Sequence, residues 1–322
     1  MRFEMRMVLL ACGFVLAFAA MAQDKYPTKP VTVLVPQAPG GANDTVARIL
    51  AQKLAENLGQ QFIVENRPGA GGNIGTALAA RAPRDGHTLL LTVNSAHVIN
   101  PALYKSPGFD PVKDFEAVTP VATVAYLWVA HPSFPGKSIK DVIDTAKARP
   151  GSLTYASAGN GTLNHLLGEM LKTQAGIDIL HVPYKGAAAS ATDVIGGRVP
   201  ISVQSMPSVV SHIQSGRLKV LGVANEKRVR ALPDVPAVSE TIPGYGATPW
   251  YGIFVPAGTP KPIIARIHAE TVKALGAKDL QEKMAAQGAE VTHATPEQFA
   301  AQIKADLPMW AKIVKESGAQ VD

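Results

Sequence analysis

The sequence predicts an α/β protein in two lobes, each a mainly parallel sheet flanked by helices. Short apolar, strand-like runs alternate with amphipathic helical patterns along most of the chain. Two such series are separated by an irregular, Pro-containing stretch from Asn100 to Pro135. A later segment interrupted by Pro233, Pro236, Pro243 and Pro249 reads as a linker returning towards the first series. The expected lobes are therefore 23–123 with 242–322, a discontinuous body, and 124–241 with its return linker.

In the first series Val31–Pro36 is a strand, and Val46, Ile49, Leu50, Leu54 and Leu58 mark one face of a helix. Phe62–Glu65 and Thr88–Val93 are further strands, with a helix near Gly72–Arg81 between them. The second series opens at Ser138, where Asp141 three residues on suggests a capping box. Leu153–Ala156 is a strand, followed by a helix with Leu163, Leu166, Leu167, Met170 and Leu171 on one stripe and Gly176 placed to end it. Strands at Ile179–Val182, Ile201–Gln204 and Lys219–Ala224 alternate with helices near Ala187–Ile195 and Pro207–Gln214. Beyond the linker come a strand at Trp250–Val255 and three helices, the last opened by Thr295-Pro296-Glu297-Gln298.

The N-terminus reads as a secretory signal. Arg2 and Arg6 precede an apolar run from Val8 to Ala20, and Ala20-Met21-Ala22 supplies small residues for cleavage after Ala22. That run is shorter than the roughly 20 residues that span a bilayer as a helix. Cys12, the single cysteine, lies inside it, with too few apolar residues before it for a lipoprotein box. An exported chain without mature cysteines must be held by core burial rather than disulfides. The roughly 300 residues left are enough for two cores. The formal net charge is +6, but acidic and basic residues are interspersed with few aromatics near them, which argues against a nucleic-acid surface.

Two strand-to-helix corners carry the chemistry: Pro36-Gln37-Ala38-Pro39-Gly40-Gly41-Ala42-Asn43-Asp44 and Ala156-Ser157-Ala158-Gly159-Asn160-Gly161-Thr162. At a helix N-terminus the first N–H groups lack internal partners and carry roughly half a positive charge. Glycines let an anion approach that backbone, and small hydroxyl or amide side chains add hydrogen bonds. The plainer reading of Asn43, Asp44 and Thr162 is that they cap helices, and Asp44 fits it best because its charge would repel an anion. Two such corners facing each other would enclose a small anion through neutral dipoles, since neither contains Arg or Lys.

At these corners the sequence closely resembles the extracytoplasmic solute receptors of the tripartite tricarboxylate transporter system, the Bug receptors. The resemblance runs through Tyr26-Pro27 to Val31, Pro39-Gly40-Gly41 to Asp44, Asn66-Arg67-Pro68-Gly69-Ala70-Gly71-Gly72, Ser157-Ala158-Gly159-Asn160-Gly161-Thr162 with His165, His181-Val182-Pro183-Tyr184-Lys185-Gly186 and Leu232-Pro233-Asp234-Val235-Pro236. It implies a monomeric periplasmic-binding-protein fold with a carboxylate held between the lobes, no cofactor, and delivery to a membrane permease with a large and a small subunit. Carried over by residue, it implies ligand contacts at Gly40, Gly41, Asn43, Ser157, Ala158, Gly159, Gly161 and Thr162. Asn94-Ser95 and Gln204-Ser205 end strands on the cleft side and would reach the distal part of the ligand, with Tyr184-Lys185-Gly186 bordering the cleft and His165 either orienting its corner by hydrogen bonding or lying on the solvent side of its helix.

A periplasmic hydrolase using Ser157 and His165 is the competing reading. Tyr155-Ala156-Ser157-Ala158-Gly159 lacks the first glycine of a nucleophile elbow, however, and His165 is expected on the adjacent helix rather than a late loop. Gly69-Ala70-Gly71-Gly72-Asn73-Ile74-Gly75 departs from dinucleotide-binding spacing. The eight histidines form no metal-ligand pattern.

Overall fold

A computed structural model describes residues 26–319 and 321. The signal segment, Cys12 and the expected cleavage after Ala22 lie outside the described residues. Among the described residues no helix is long and apolar enough to cross a membrane.

The chain begins with β1 (Val31–Val35), α1 (Ala42–Leu58), β2 (Phe62–Asn66), α2 (Asn73–Ala80), β3 (Thr88–Val93), α3 (Asn100–Leu103) and β4 (Phe115–Val124). It crosses to β5 (Tyr126–Ala130), α4 (Ile139–Ala148), β6 (Thr154–Ser157), α5 (Leu163–Ala175), β7 (Leu180–Pro183), α6 (Ala187–Ile195), β8 (Ile201–Ser205), α7 (Met206–Gln214) and β9 (Lys219–Val223). It returns through β10 (Trp250–Pro256), α8 (Lys261–Leu275), α9 (Lys278–Ala286), β11 (Ala289–Val291) and α10 (Pro296–Ser317). One sheet has the order β11-β4-β10-β3-β1-β2 and the other β7-β6-β8-β5-β9, so strands from both ends of the described chain share the first sheet.

The two-lobed α/β class holds, but the sheets are mixed rather than mainly parallel. β1 pairs in parallel with β2 and β3, whereas β10 is antiparallel to β3 and β4, and β11 to β4. In the second sheet β6 is parallel to β7 and β8, and β5 is antiparallel to β8 and β9. The reason is the crossover. β4 carries the chain out of the first sheet and β10 brings it back beside β4, so the two must run in opposite directions.

The stretch Asn100–Pro135, expected to be irregular, holds β4 and β5, separated by Ala125 alone. Pro120 lies inside β4 opposite Gly252, next to a shift in register, where the strand accommodates a residue that cannot donate to the ladder. Every residue of β5 is buried, so it has no polar alternation to announce it. Elsewhere the expected elements form, and the short β11 between the last two helices is added to them. The capping boxes at Ser138 and Thr295 form, and Gly176 ends α5 in the left-handed conformation.

Candidate ligand-binding cleft

Between the sheets lies a cavity of about 660 Å³ lined from both sides. Five helices begin on its wall: the residues preceding α1, α2, α5, α6 and α7 are Gly41, Gly72, Thr162, Gly186 and Ser205, and all five line it. None of the five makes a side-chain capping bond to its own helix. Thr162 instead donates its hydroxyl to the Gly159 carbonyl at 2.6 Å. Asp44 accepts the Gly40 N–H at 3.1 Å and pairs with Arg48 at 2.9 Å, so it braces the loop before α1. Lys185 is the only charged side chain among the described residues that line the cavity. Uncapped helix N-termini, one cation and no carboxylate among the described lining residues together make a cavity that attracts anions.

Of the side chains singled out from sequence, Gly41, Asn43, Ser95, Ala158, Gly159, Thr162, Tyr184, Lys185 and Gly186 line the cavity. Gly40, Asn94, Ser157, Gly161, His165 and Gln204 stand outside the lining. Gln204 is fully buried, its amide donating to Ser190 Oγ at 2.7 Å and Ser202 Oγ at 2.8 Å, so it stabilises the sheet rather than reaching the cavity. Gln37, part of the first corner, also lines the cavity, and Tyr104, Tyr126, Asn164 and Tyr251 line it without having been foreseen. Tyr126 and Tyr251 begin strands beside the crossovers, one of them in the stretch whose strands the prolines concealed.

The β6–α5 corner is built on a column of rings, Tyr155 and His165 buried and His181 between them half-buried. Ser157 Oγ accepts the Gly159 N–H at 3.1 Å and shares a 2.6 Å hydrogen bond with His181 Nε2. His165 Nδ1 accepts the Gly161 N–H at 3.5 Å. The His165 and His181 rings stack at 4.4 Å, and His181 stacks on Tyr155 at 4.9 Å. Burial pushes both imidazoles below their usual range, His181 to about 3 with His165 and Lys172 adding to the effect, so both are neutral near pH 7. The column holds Gly159 and Gly161 at φ of +127° and +74°, values that side-chain-bearing residues rarely adopt. The Ser157–His165 pairing of the hydrolase reading is not formed: Ser157 is fully buried and bonded to His181, while His165 faces Gly161.

The lobes touch around the cavity. A Cβ placed on Gly186 would lie 2.8 Å from Ala38 Cβ, and one on Gly71 would lie 3.1 Å from the Asn160 carbonyl oxygen. Tyr104 OH donates to that same carbonyl at 3.2 Å.

Residues 46–319 match the family model described as the tripartite tricarboxylate transporter family receptor. The chain belongs to this family. BugT of Bordetella pertussis is 36% identical to the receptor, the match covering 99% of each chain. The solved structure of the periplasmic binding protein BugD superposes with a TM-score of 0.87 at 37% identity, over 92% of this receptor and 99% of BugD. Rpa4515 of R. palustris, solved with adipate, gives a TM-score of 0.88 at 33% identity over 92% of this receptor and all of that chain.

Proposed function

We propose that this receptor is exported by its N-terminal signal, cleaved after Ala22, and captures one small carboxylate-bearing solute between the bodies 23–123 with 242–322 and 124–241. It passes the solute, chemically unchanged, to a membrane permease with a large and a small subunit. The observation that carries this reading is the convergence of five uncapped helix N-termini on one cavity whose described lining contains no Asp or Glu. Backbone N–H groups at Gly41–Asn43 and at the start of α5 would meet the carboxylate, while Lys185 borders it. Adipate in Rpa4515 and the shared fold support the class of ligand.

The test is a thermal-shift screen of the purified mature receptor against organic acids, followed by mass analysis of the recovered ligand. A true ligand at 100 times its dissociation constant adds about 2.7 kcal/mol to stability. Failure of every carboxylate to shift the melting curve would sink the ligand class, and recovery of a chemically altered acid would sink the receptor role.

A further inference from the structure

Two tyrosine hydroxyls meet in the cavity from opposite lobes, Tyr126 from the start of β5 and Tyr251 from the start of β10. The residues are 5% and 1% exposed, and their oxygens are 3.1 Å apart. Each hydroxyl carries a single hydrogen. Whichever oxygen donates to the other, one hydrogen is left over, and among the described residues neither oxygen makes a second protein hydrogen bond. Burial pushes Tyr126 up to about 12 and Tyr251 well above its ordinary value, so both remain neutral donors at physiological pH. A donor buried without an acceptor is costly, so the pair calls for an oxygen supplied by whatever fills the cavity.

Strand register separates this point from the helix corners. Tyr251 lies opposite Val93 on β3, two residues before Ser95, and Tyr126 lies opposite Ser205 on β8; both serines line the cavity. β1, which feeds the Gly41 corner, is on the other side of β3 from β10. Likewise β6, which feeds the Gly159 corner, is on the other side of β8 from β5. In each lobe the tyrosine thus stands two strand spacings, about 10 Å, from the strand that leads to the corner.

We propose that the Tyr126–Tyr251 pair is a second recognition point, which reads an oxygen acceptor carried by the ligand away from its carboxylate. The ligand class is then an organic acid with a distal carboxylate or hydroxyl oxygen, not a plain alkyl acid. This rests on the carboxylate reading above.

The experiment is calorimetry on matched acids of four, six and eight carbons: butyrate, hexanoate and octanoate against their ω-hydroxy acids and the corresponding dicarboxylates. At least one oxygenated acid should bind ten or more times tighter than its alkyl partner. In the double variant Tyr126→Phe/Tyr251→Phe, checked for folding by its melting curve, that ratio should fall to near one. Which oxygenated series gains shows whether the distal group is a hydroxyl or a second carboxylate. Equal binding of alkyl and oxygenated acids by the unmodified receptor overturns the proposal without touching the carboxylate reading, as does a ratio that survives in the double variant. If no acid of any series binds, this inference is overturned, because no distal oxygen then adds affinity, and the wider screen decides the carboxylate reading separately.

Discussion

His97 has no exposed surface, stacks on Phe254 at 4.0 Å and points Nε2 at the Pro111 carbonyl, 3.1 Å away. Burial holds it down to about 3, against an ordinary value of 6.5. Between those values the unfolded chain binds a proton that the folded chain refuses, so stability is full above pH 6.5 and falls as the pH drops towards 3. The slope from this one group is about 1.4 kcal/mol per pH unit at its steepest. Urea unfolding at pH 7 and pH 5 should show the loss, and His97→Phe should reduce it, leaving the share that His181 and His165 contribute by the same burial. An unchanged pH slope in that variant would show that His97 is not its source. The two cleft glycines separate in a similar way. Gly41 has ordinary backbone angles, and a Cβ there meets Ala187 Cβ at 3.9 Å, so Gly41→Ala should fold as the parent does and weaken binding only by the methyl it sets on the cavity wall, by less than Gly161→Ala. A Cβ on Gly161 would come within 2.6 Å of the Tyr104 ring at φ +74°, so Gly161→Ala should fold but bind roughly tenfold more weakly, about 1.4 kcal/mol. Calorimetry on the two variants checks this, and equal affinities would contradict it.

At the scale of elements, the α4 capping box is a local device far removed from ligand chemistry. Ser138 Oγ accepts the Asp141 N–H at 3.3 Å while Asp141 accepts the Ser138 N–H at 3.0 Å. Ser138→Ala should lower stability by about 1 kcal/mol in urea unfolding and leave ligand affinity unchanged. No loss of stability would mean that the box is redundant with the packing of Val142 and Ile143. This box was legible because a helix start is written in adjacent residues, and the same holds for Thr295–Gln298 and for Gly176. Two of the five cavity-facing helix starts, at Gly41 and Thr162, were legible as anion corners for that reason. Gly186 and Ser205 were expected at the cleft, but as its border and as a strand end rather than as helix starts facing an anion, and the start at Gly72 reads as an ordinary turn until the topology brings it to the same wall. β4 and β5 were not legible, because Pro120 argues against a central strand and a strand covered on both faces shows no alternation. With them went Tyr126, and hence the tyrosine pair.

For the whole molecule the property we expect to decide affinity is closure of the two lobes on the ligand. Tyr104 follows α3 on the first lobe, lines the cavity and reaches the Asn160 carbonyl of the β6–α5 corner at 3.2 Å, so the contact that joins the lobes also covers what lies between them. A ligand touching both bodies favours the closed arrangement because only there are both sets of contacts made at once. Removing a latch that exists only when the lobes are closed should then raise the rate of ligand escape and leave the stability of each lobe alone. Tyr104→Ala is expected to weaken binding roughly tenfold, mostly through dissociation. Stopped-flow release should show it directly, and scattering at saturating ligand should show a less compact particle than the parent. The double variant Tyr104→Ala/Gly161→Ala makes the reading sharper. With the ring gone, a Cβ at Gly161 has nothing to strike there, so the second substitution should cost only its backbone strain and the two effects should fall well short of adding. Full additivity, or release kinetics indifferent to Tyr104, would place closure elsewhere and leave Tyr104 a bystander on the cavity wall.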